Sequence, residues 1–170
     1  RASSWSSSAL LEGGQRLAGL LRDRALRVLA HDDLEGGEAL GLAVMLELPC
    51  VIIDVQRAGP STGMPTKTAQ ADLLMALYAG NDEAPRFVLA PDSVQDCFYQ
   101  MVNAFNLAEK YQMPAIVLSD QALSARVATI PLIDLASIKL TERLKPEPGK
   151  DREYRRYELT ENGVSPMALP

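Results

Sequence analysis

The sequence is poor in the side chains that usually build metal centres and nucleophilic triads. Its 170 residues include one histidine, His31, and two cysteines, Cys50 and Cys97, which lie far apart. A single histidine leaves no histidine-rich metal site or histidine-based triad to propose. Two distant thiols also cannot supply the four ligands of an iron–sulfur cluster. We predict that His31 lies at the surface and that both cysteines are buried structural thiols, which suits a reducing cytoplasm.

A basic surface and a long apolar run are also missing. The formal net charge is -5, whereas a nucleic-acid-binding surface needs a basic stripe. No apolar run approaches the roughly 18 residues of a membrane span. The N-terminal residues RASSWSSSALL contain no apolar core of a signal peptide. These absences predict a cytoplasmic protein that binds neither nucleic acid nor a membrane.

From residue 38 onward, helical and strand patterns alternate. We expect strands at 51–55, 87–90 and 115–120, and helices at 38–48, 70–79 and 94–111, the last capped by Asp92 or Ser93. The strands are continuously apolar, which is typical of a parallel sheet covered on both faces. The first helix is apolar nearly all round, so we expect it to be buried.

The two ends of the chain differ from this central part. Residues 1–37 contain a serine-rich run, five arginines and no lysine, with a passable amphipathic helix over 15–29. Residues 138–161 hold seven basic and six acidic residues, which predicts a solvated arm with little core of its own. We therefore divide the chain into a divergent segment (1–37), a partial α/β domain (38–137) and a charged C-terminal arm (138–170).

A long polar loop follows the first predicted strand. Ligands of open α/β sheets bind beyond the carboxyl ends of the strands, and Arg57 stands at that position. Its planar cation suits a carboxylate or a phosphate. The loop lacks the patterns of a P-loop and of a dinucleotide fold, so it is either an anion-binding loop or a structural turn. Lys67 is either a second anion contact or a lysine that faces solvent or another subunit. Asp54 lies inside an apolar strand and is expected to be structural, because a buried carboxylate needs a partner. Asp120, at the end of the last predicted strand, is either structural or functional.

Several stretches together resemble one family. QRAGPSTGMPTKTAQADL at 56–73, AEKYQMPAIVLSDQ at 108–121 and YRRYELTENGVSPMALP at 154–170 are similar to the alpha subunit of 2-oxoacid:ferredoxin oxidoreductases, most closely the 2-oxoglutarate type. The resemblance covers about residues 38–170. It implies an incomplete doubly wound parallel α/β sheet of the thiamine-diphosphate-binding, pyrimidine-binding type with a C-terminal arm. The implied reaction is oxidative decarboxylation of a 2-oxoacid with coenzyme A and ferredoxin.

The resemblance also implies site residues and partners. Arg57 matches the arginine that grips the substrate carboxylate, and Thr62 and Thr66 match threonines that line the substrate pocket. Three further loop residues are candidates for cofactor contacts: Gly59, Ser61 and Gly63. In this family the alpha subunit shares thiamine diphosphate and Mg²⁺ with a separate beta subunit, and the beta subunit also carries a [4Fe–4S] cluster. The resemblance thus implies a hetero-oligomer.

Residues 1–37 depart from the family pattern. They contain neither its YPITP-like loop nor its Thr-Ser-Gly-Pro-Gly-like loop, and Glu12 lacks the surroundings of the activating acid, so no catalytic residue is assigned. The chain is a fragment, or these residues are out of frame, or a divergent segment replaces the lost part. A non-catalytic chain that retains the subunit interface is therefore an alternative function, and a generic phosphate-binding module would explain the loop alone. Since the sheet is expected to lack its first strands, we predict that the isolated chain aggregates or associates.

Overall fold

The computed structural model describes residues 28–29, 37–60, 63–64, 66–146 and 154–167. Within these ranges the strands are β1 (Val28–Leu29), β2 (Val51–Gln56), β3 (Phe87–Leu89) and β4 (Ala115–Asp120). The helices are α1 (Gly37–Met45), α2 (Leu73–Tyr78), α3 (Val94–Tyr111) and α4 (Gln121–Ser124), followed by a 3₁₀ turn at Leu135–Ser137. None of the described helices is long and apolar enough to cross a membrane.

The described strands form one parallel sheet in the order β1-β2-β4-β3. Its centre is the pairing of β2 with β4, which runs from Val51 beside Ala115 to Gln56 beside Asp120. Because the strands are parallel, the carboxyl ends of β2 and β4 meet at one edge of the sheet, called here the carboxyl edge. The opposite edge is called the amino edge. The predicted parallel α/β sheet is confirmed.

Apolar clusters lie on both faces of the sheet, which explains why its strands are continuously apolar. On one face, α3 contributes to a buried cluster comprising Val51, Ala104, Phe105, Ala108, Ala115 and Val117. On the other face, α1 and α2 contribute to a cluster comprising Leu40, Ile52, Ala76, Ile116 and Leu118. Every residue of the central strand β4 is buried.

Helix α3 follows its predicted bounds, Val94–Tyr111. Its N-cap is Ser93, whose Oγ accepts a hydrogen bond from the backbone N–H of Asp96 at 3.1 Å. This bond satisfies one of the first-turn amides that a helix leaves without a partner. The helix ends at Gln112, which adopts the left-handed conformation with φ of 51°.

Helices α1 and α2 bury few of their apolar side chains against the sheet. The prediction that the first helix is buried nearly all round is wrong, because Leu40 is buried while Leu42 and Met45 are exposed, Met45 by 75%. In α2, Ala76 is buried but Leu74 and Tyr78 are 67% and 76% exposed. The apolar pattern of these helices predicted buried side chains, yet only a minority of the apolar residues are buried against the sheet.

Residues 28–29 correct a second prediction. They were expected within a helix over 15–29 but form β1, where Val28 pairs with Val51 and Leu29 with Ile52. The pairing gives the first two residues of β2 backbone partners on the side away from β4, so tertiary pairing overrides the local helical pattern. The rest of that predicted helix, and His31, lie outside the described residues.

The C-terminal arm packs against the amino edge, so its described part is not simply solvated. Arg143 donates to both carboxylate oxygens of Glu109, at 2.8 and 3.0 Å, and both side chains are more than nine-tenths buried. Arg156 donates to Glu47 at 2.6 Å, to the Ser165 hydroxyl at 3.0 Å and to Gln112 Oε1 at 3.2 Å. We call these four residues the Arg156 cluster. It joins the arm to the C-terminal ends of α1 and α3.

Candidate functional site

The polar loop over 57–72 folds back on itself at the carboxyl edge. It begins with Arg57, which is half-buried directly after β2. The backbone N–H of Ala58 donates to the carbonyl of Lys67 at 2.8 Å, and the N–H of Met64 donates to the carbonyl of Ala58 at 2.7 Å. A third bond, from the Lys67 N–H to the Met64 carbonyl, measures 2.9 Å. The described residues of the loop are therefore held together in a hairpin-like turn beside Arg57.

Gly63 is the residue that permits this turn. Its φ of +71° lies in the left-handed region, and a Cβ built there would collide with the carbonyl oxygen of Ala58. Gly59 is different: it is exposed, and a Cβ at that position would meet nothing within 4 Å. The same residue type is therefore required at 63 but not at 59.

The returning limb of the loop is fastened to the ends of β2 and β4. Gln70 Nε2 donates to Asp120 Oδ2 at 2.7 Å, and the Asp72 N–H donates to Gln56 Oε1 at 3.1 Å. Gln56 Nε2 in turn donates to the Ser119 carbonyl at 3.1 Å. We call Gln56, Gln70, Asp72 and Asp120 the loop clamp. Thr68 adds an exposed bond to Gln121 at 3.2 Å.

Asp120 has two separate structural tasks. It is the last residue of β4 and is 8% exposed. Its Oδ1 accepts from the Leu123 N–H at 2.8 Å, which caps α4, while Oδ2 accepts from Gln70. The Leu123 amide and the Gln70 side chain stabilise the charged form, and these bonds lower the pKa of Asp120 below its usual value. These two bonds give Asp120 a structural role; Asp54 is fully buried within β2.

The predicted site residues differ in how far the structure describes them. Arg57 lies at the carboxyl edge, and Thr66 and Lys67 are exposed on the same loop. Thr62 and Ser61 lie outside the described residues, so their predicted contacts stay predictions. Gly59 and Gly63 stand on the loop as described above.

Sequence reasoning missed the loop clamp. Gln70 was placed in the first turn of a helix predicted over 70–79, whereas α2 begins at Leu73. The residues before α2 instead carry the bonds to β2 and β4. One signal was present, since a polar glutamine ends the mostly apolar strand at Gln56, but its partners are distant in sequence.

The two cysteines are free and half-buried, and so are less buried than predicted. Cys50 packs beside the apolar cluster under α1 and α2, and burial raises its pKa to about 11. Burial also raises the pKa of Cys97, with a further contribution from Asp96. Both thiols therefore stay protonated at neutral pH. Within the described part of the chain, no group of three or more His, Cys, Asp or Glu side chains could hold a metal ion.

An open parallel α/β sheet with a polar loop fastened at its carboxyl edge defines a ligand-binding domain of the doubly wound class. The chain belongs to the pyruvate flavodoxin/ferredoxin oxidoreductase family. The model of that family's thiamine diphosphate-binding domain matches residues 36–167. This match confirms the resemblance drawn from the loop and strand motifs.

Two curated relatives show the same relationship. The chain is 46% identical over 133 residues to the alpha subunit of 2-oxoacid:ferredoxin oxidoreductase 1 of Sulfurisphaera tokodaii, a match of 78% of this chain and 21% of that protein. It is 60% identical over 87 residues to the 2-oxoglutarate oxidoreductase subunit KorA of Mycobacterium tuberculosis, a match of 51% of this chain and 13% of that protein. The chain therefore spans about a fifth or less of the length of these relatives.

A solved structure has the same fold. The 2-oxoglutarate:ferredoxin oxidoreductase from Magnetococcus marinus, with 2-oxoglutarate, coenzyme A and succinyl-CoA bound, superposes with a TM-score of 0.80 at 43% identity. The match covers 86% of this chain and 26% of that one.

Proposed function

We propose that this chain is the part of the alpha subunit of a 2-oxoacid:ferredoxin oxidoreductase that presents the substrate-binding loop. The proposed substrate is 2-oxoglutarate or a close relative. The observation that carries the proposal is the half-buried Arg57 at the carboxyl edge, beside the hairpin-like turn within the family match. A planar guanidinium binds a carboxylate through two parallel hydrogen bonds, and every 2-oxoacid has a carboxylate.

The proposed reaction is the oxidative decarboxylation of the 2-oxoacid to an acyl-CoA, with electrons passed to ferredoxin. Thiamine diphosphate, when bound, would supply the chemistry that breaks the carbon–carbon bond. The contribution of this chain is to bind and orient the substrate: Arg57 holds the carboxylate, and the hydroxyls of Thr62 and Thr66 shape the pocket. Fixing the substrate in one geometry lowers the entropic part of the barrier.

The described side chains at the carboxyl edge do not fit a magnesium diphosphate. Asp120 accepts from Leu123 and Gln70, and the described residues include no cluster that could hold a metal. We therefore derive no step through a metal on this chain. We propose instead that a beta subunit holds the diphosphate, Mg²⁺ and a [4Fe–4S] cluster. In this proposal the two subunits form a hetero-oligomer in the cytoplasm.

The test is an activity assay on the assembled enzyme with variants of Arg57. The alpha subunit containing this chain is co-expressed with its beta subunit, and 2-oxoglutarate-dependent reduction of a viologen dye is measured with coenzyme A. We expect Arg57→Ala to raise KM on the order of 10- to 100-fold, since a hydrogen bond to a charged group contributes about 1.5–3 kcal/mol. Lys139→Ala, which removes an exposed charge from the arm, is the control and should leave KM unchanged.

Two outcomes would contradict the proposal. A stable complex that reduces no dye with any 2-oxoacid would indicate the alternative function, a non-catalytic chain that retains the subunit interface. An unchanged KM in Arg57→Ala would show that another group binds the carboxylate.

A further inference from the structure

We propose that Gln70 and Asp120 form a positioning pair that fixes the loop carrying Arg57 in the geometry that binds substrate. The inference rests on the proposed function of that loop. It assigns these residues no contact with substrate; they act through the loop.

The geometry places the pair on the returning limb of the loop. Arg57 and Gln70 lie just outside the base of the loop, where the Ala58 N–H donates to the Lys67 carbonyl. The outgoing end continues β2 covalently. The returning end therefore needs its own attachment to the sheet, and Gln70 supplies one at the end of β4, the strand that pairs with β2.

The pair is also charge-assisted and short. Its donor–acceptor distance is 2.7 Å, and its acceptor is a carboxylate that is 8% exposed. Hydrogen bonds to an ionised acceptor are roughly twice as strong as neutral ones. By contrast, the bond from the Asp72 N–H to Gln56 is longer and joins neutral groups.

The two carboxylate oxygens of Asp120 allow the pair to be tested apart from the helix cap. Oδ1 caps α4, and Oδ2 receives Gln70. In Asp120→Asn, the remaining oxygen can still accept from Leu123, while the new amide can donate toward position 70. Gln70→Glu places two carboxylates face to face, so it should push the returning limb away from β4. The double variant Gln70→Glu/Asp120→Asn restores a charge-assisted bond with donor and acceptor exchanged.

The experiment compares the wild type, both single variants and the double variant in the assembled enzyme. We expect Gln70→Glu to raise KM for 2-oxoglutarate on the order of 10-fold, because displacements of about 1 Å can cost up to 100-fold. The double variant should return KM to near the wild-type value. Asn103→Asp adds the same charge on the exposed side of α3 and should change nothing.

A second measurement does not depend on activity. Hydrogen exchange at the Ala58 and Asp72 amides, which bond within the loop and to Gln56, should quicken in Gln70→Glu and slow again in the double variant. Should Gln70→Glu fail to assemble, Gln70→Met removes the bond without adding charge and should show a smaller change in the same direction.

The outcomes separate this inference from the proposed function. If the wild type turns over no 2-oxoacid, the proposed function fails, while the exchange rates still test the pair. If the wild type is active and Gln70→Glu alters neither KM nor exchange, the positioning pair is refuted. If the rise in KM caused by Gln70→Glu persists in the double variant Gln70→Glu/Asp120→Asn, the positioning pair is refuted as well, because the effect of Gln70→Glu would then not depend on Asp120.

Discussion

Gly59 and Gly63 show how two identical residues in one loop meet different physical demands. Gly63 has a left-handed backbone, and its α-carbon faces the carbonyl of Ala58, so a side chain has no room. Gly59 is surrounded by open space. Both glycines were candidates for cofactor contacts, but the backbone conformation at position 63 requires glycine whether or not a cofactor binds.

We expect Gly63→Ala to destabilise the protein by about 1–3 kcal/mol, the usual cost of holding a non-glycine residue in a strained conformation. The midpoint and slope of urea unfolding would measure the loss of stability. Gly59→Ala is the matched control and should change the free energy of unfolding by less than about 0.5 kcal/mol. If the two substitutions lowered the free energy of unfolding equally, glycine would not be specifically required at position 63.

At the scale of elements, the contact between α3 and the C-terminal arm depends on a buried ion pair. Glu109 lies in the last two turns of α3, and Arg143 reaches it from the arm with two hydrogen bonds. Arg143 also contacts the sulfur of Met167 at 3.2 Å. One arginine therefore ties two parts of the arm to the same helix.

We expect Glu109→Leu to cost about 3–5 kcal/mol, because it leaves the Arg143 guanidinium buried without its counter-charge. The double variant Glu109→Leu/Arg143→Met should recover most of that loss, since no charge is then left buried. Denaturant unfolding of the three proteins measures both effects. Glu142→Leu, at an exposed neighbouring position, is the control. A double variant no more stable than Glu109→Leu would refute this account of the pair.

The elements also show what the sequence can predict. The bounds of α3 and β4 agree with expectation because their signals are local: a serine cap at Ser93, a three-and-four apolar period, and Pro114 before an unbroken apolar run. The strand at Val28–Leu29 was missed because it exists through its pairing with β2.

The candidate site likewise has a part that the sequence predicts and a part that it does not. Arg57 and its loop were predicted from residue types that follow a strand. The bond between Gln70 and Asp120 was not, because it joins residues 50 positions apart and depends on β2 and β4 being neighbours. Periodicity also identified the apolar residues of α1 and α2 without showing that much of that surface stays exposed.

On the scale of the whole molecule, that exposed surface is the most unusual feature. Met45, Leu74 and Tyr78 are each at least two-thirds exposed, on the two helices that cover one face of the sheet. Exposed apolar side chains on neighbouring elements mark a surface that associates or aggregates. The prediction that the isolated chain associates therefore has a second basis, besides the sheet edge.

We expect the isolated chain to self-associate, and Leu74→Lys/Tyr78→Lys to reduce that association because it places charges on the apolar surface. Sedimentation velocity over a range of concentrations would measure the change. Asn81→Lys/Asn103→Lys adds the same charge at exposed polar positions and should have less effect. A monodisperse monomer that unfolds cooperatively would contradict the prediction.

The Arg156 cluster has a consequence for the order in which the molecule is completed. Glu47 and Arg156 are separated by 109 positions, and β2, β3, α3 and β4 all lie between them. Such a contact must close a very long loop, so we infer that it forms only after the intervening sheet has brought α1 and α3 together. During synthesis the amino edge would stay open until residues 154–167 have emerged. Docking of the arm therefore requires that β2, β3, α3 and β4 have already brought the C-terminal ends of α1 and α3 together.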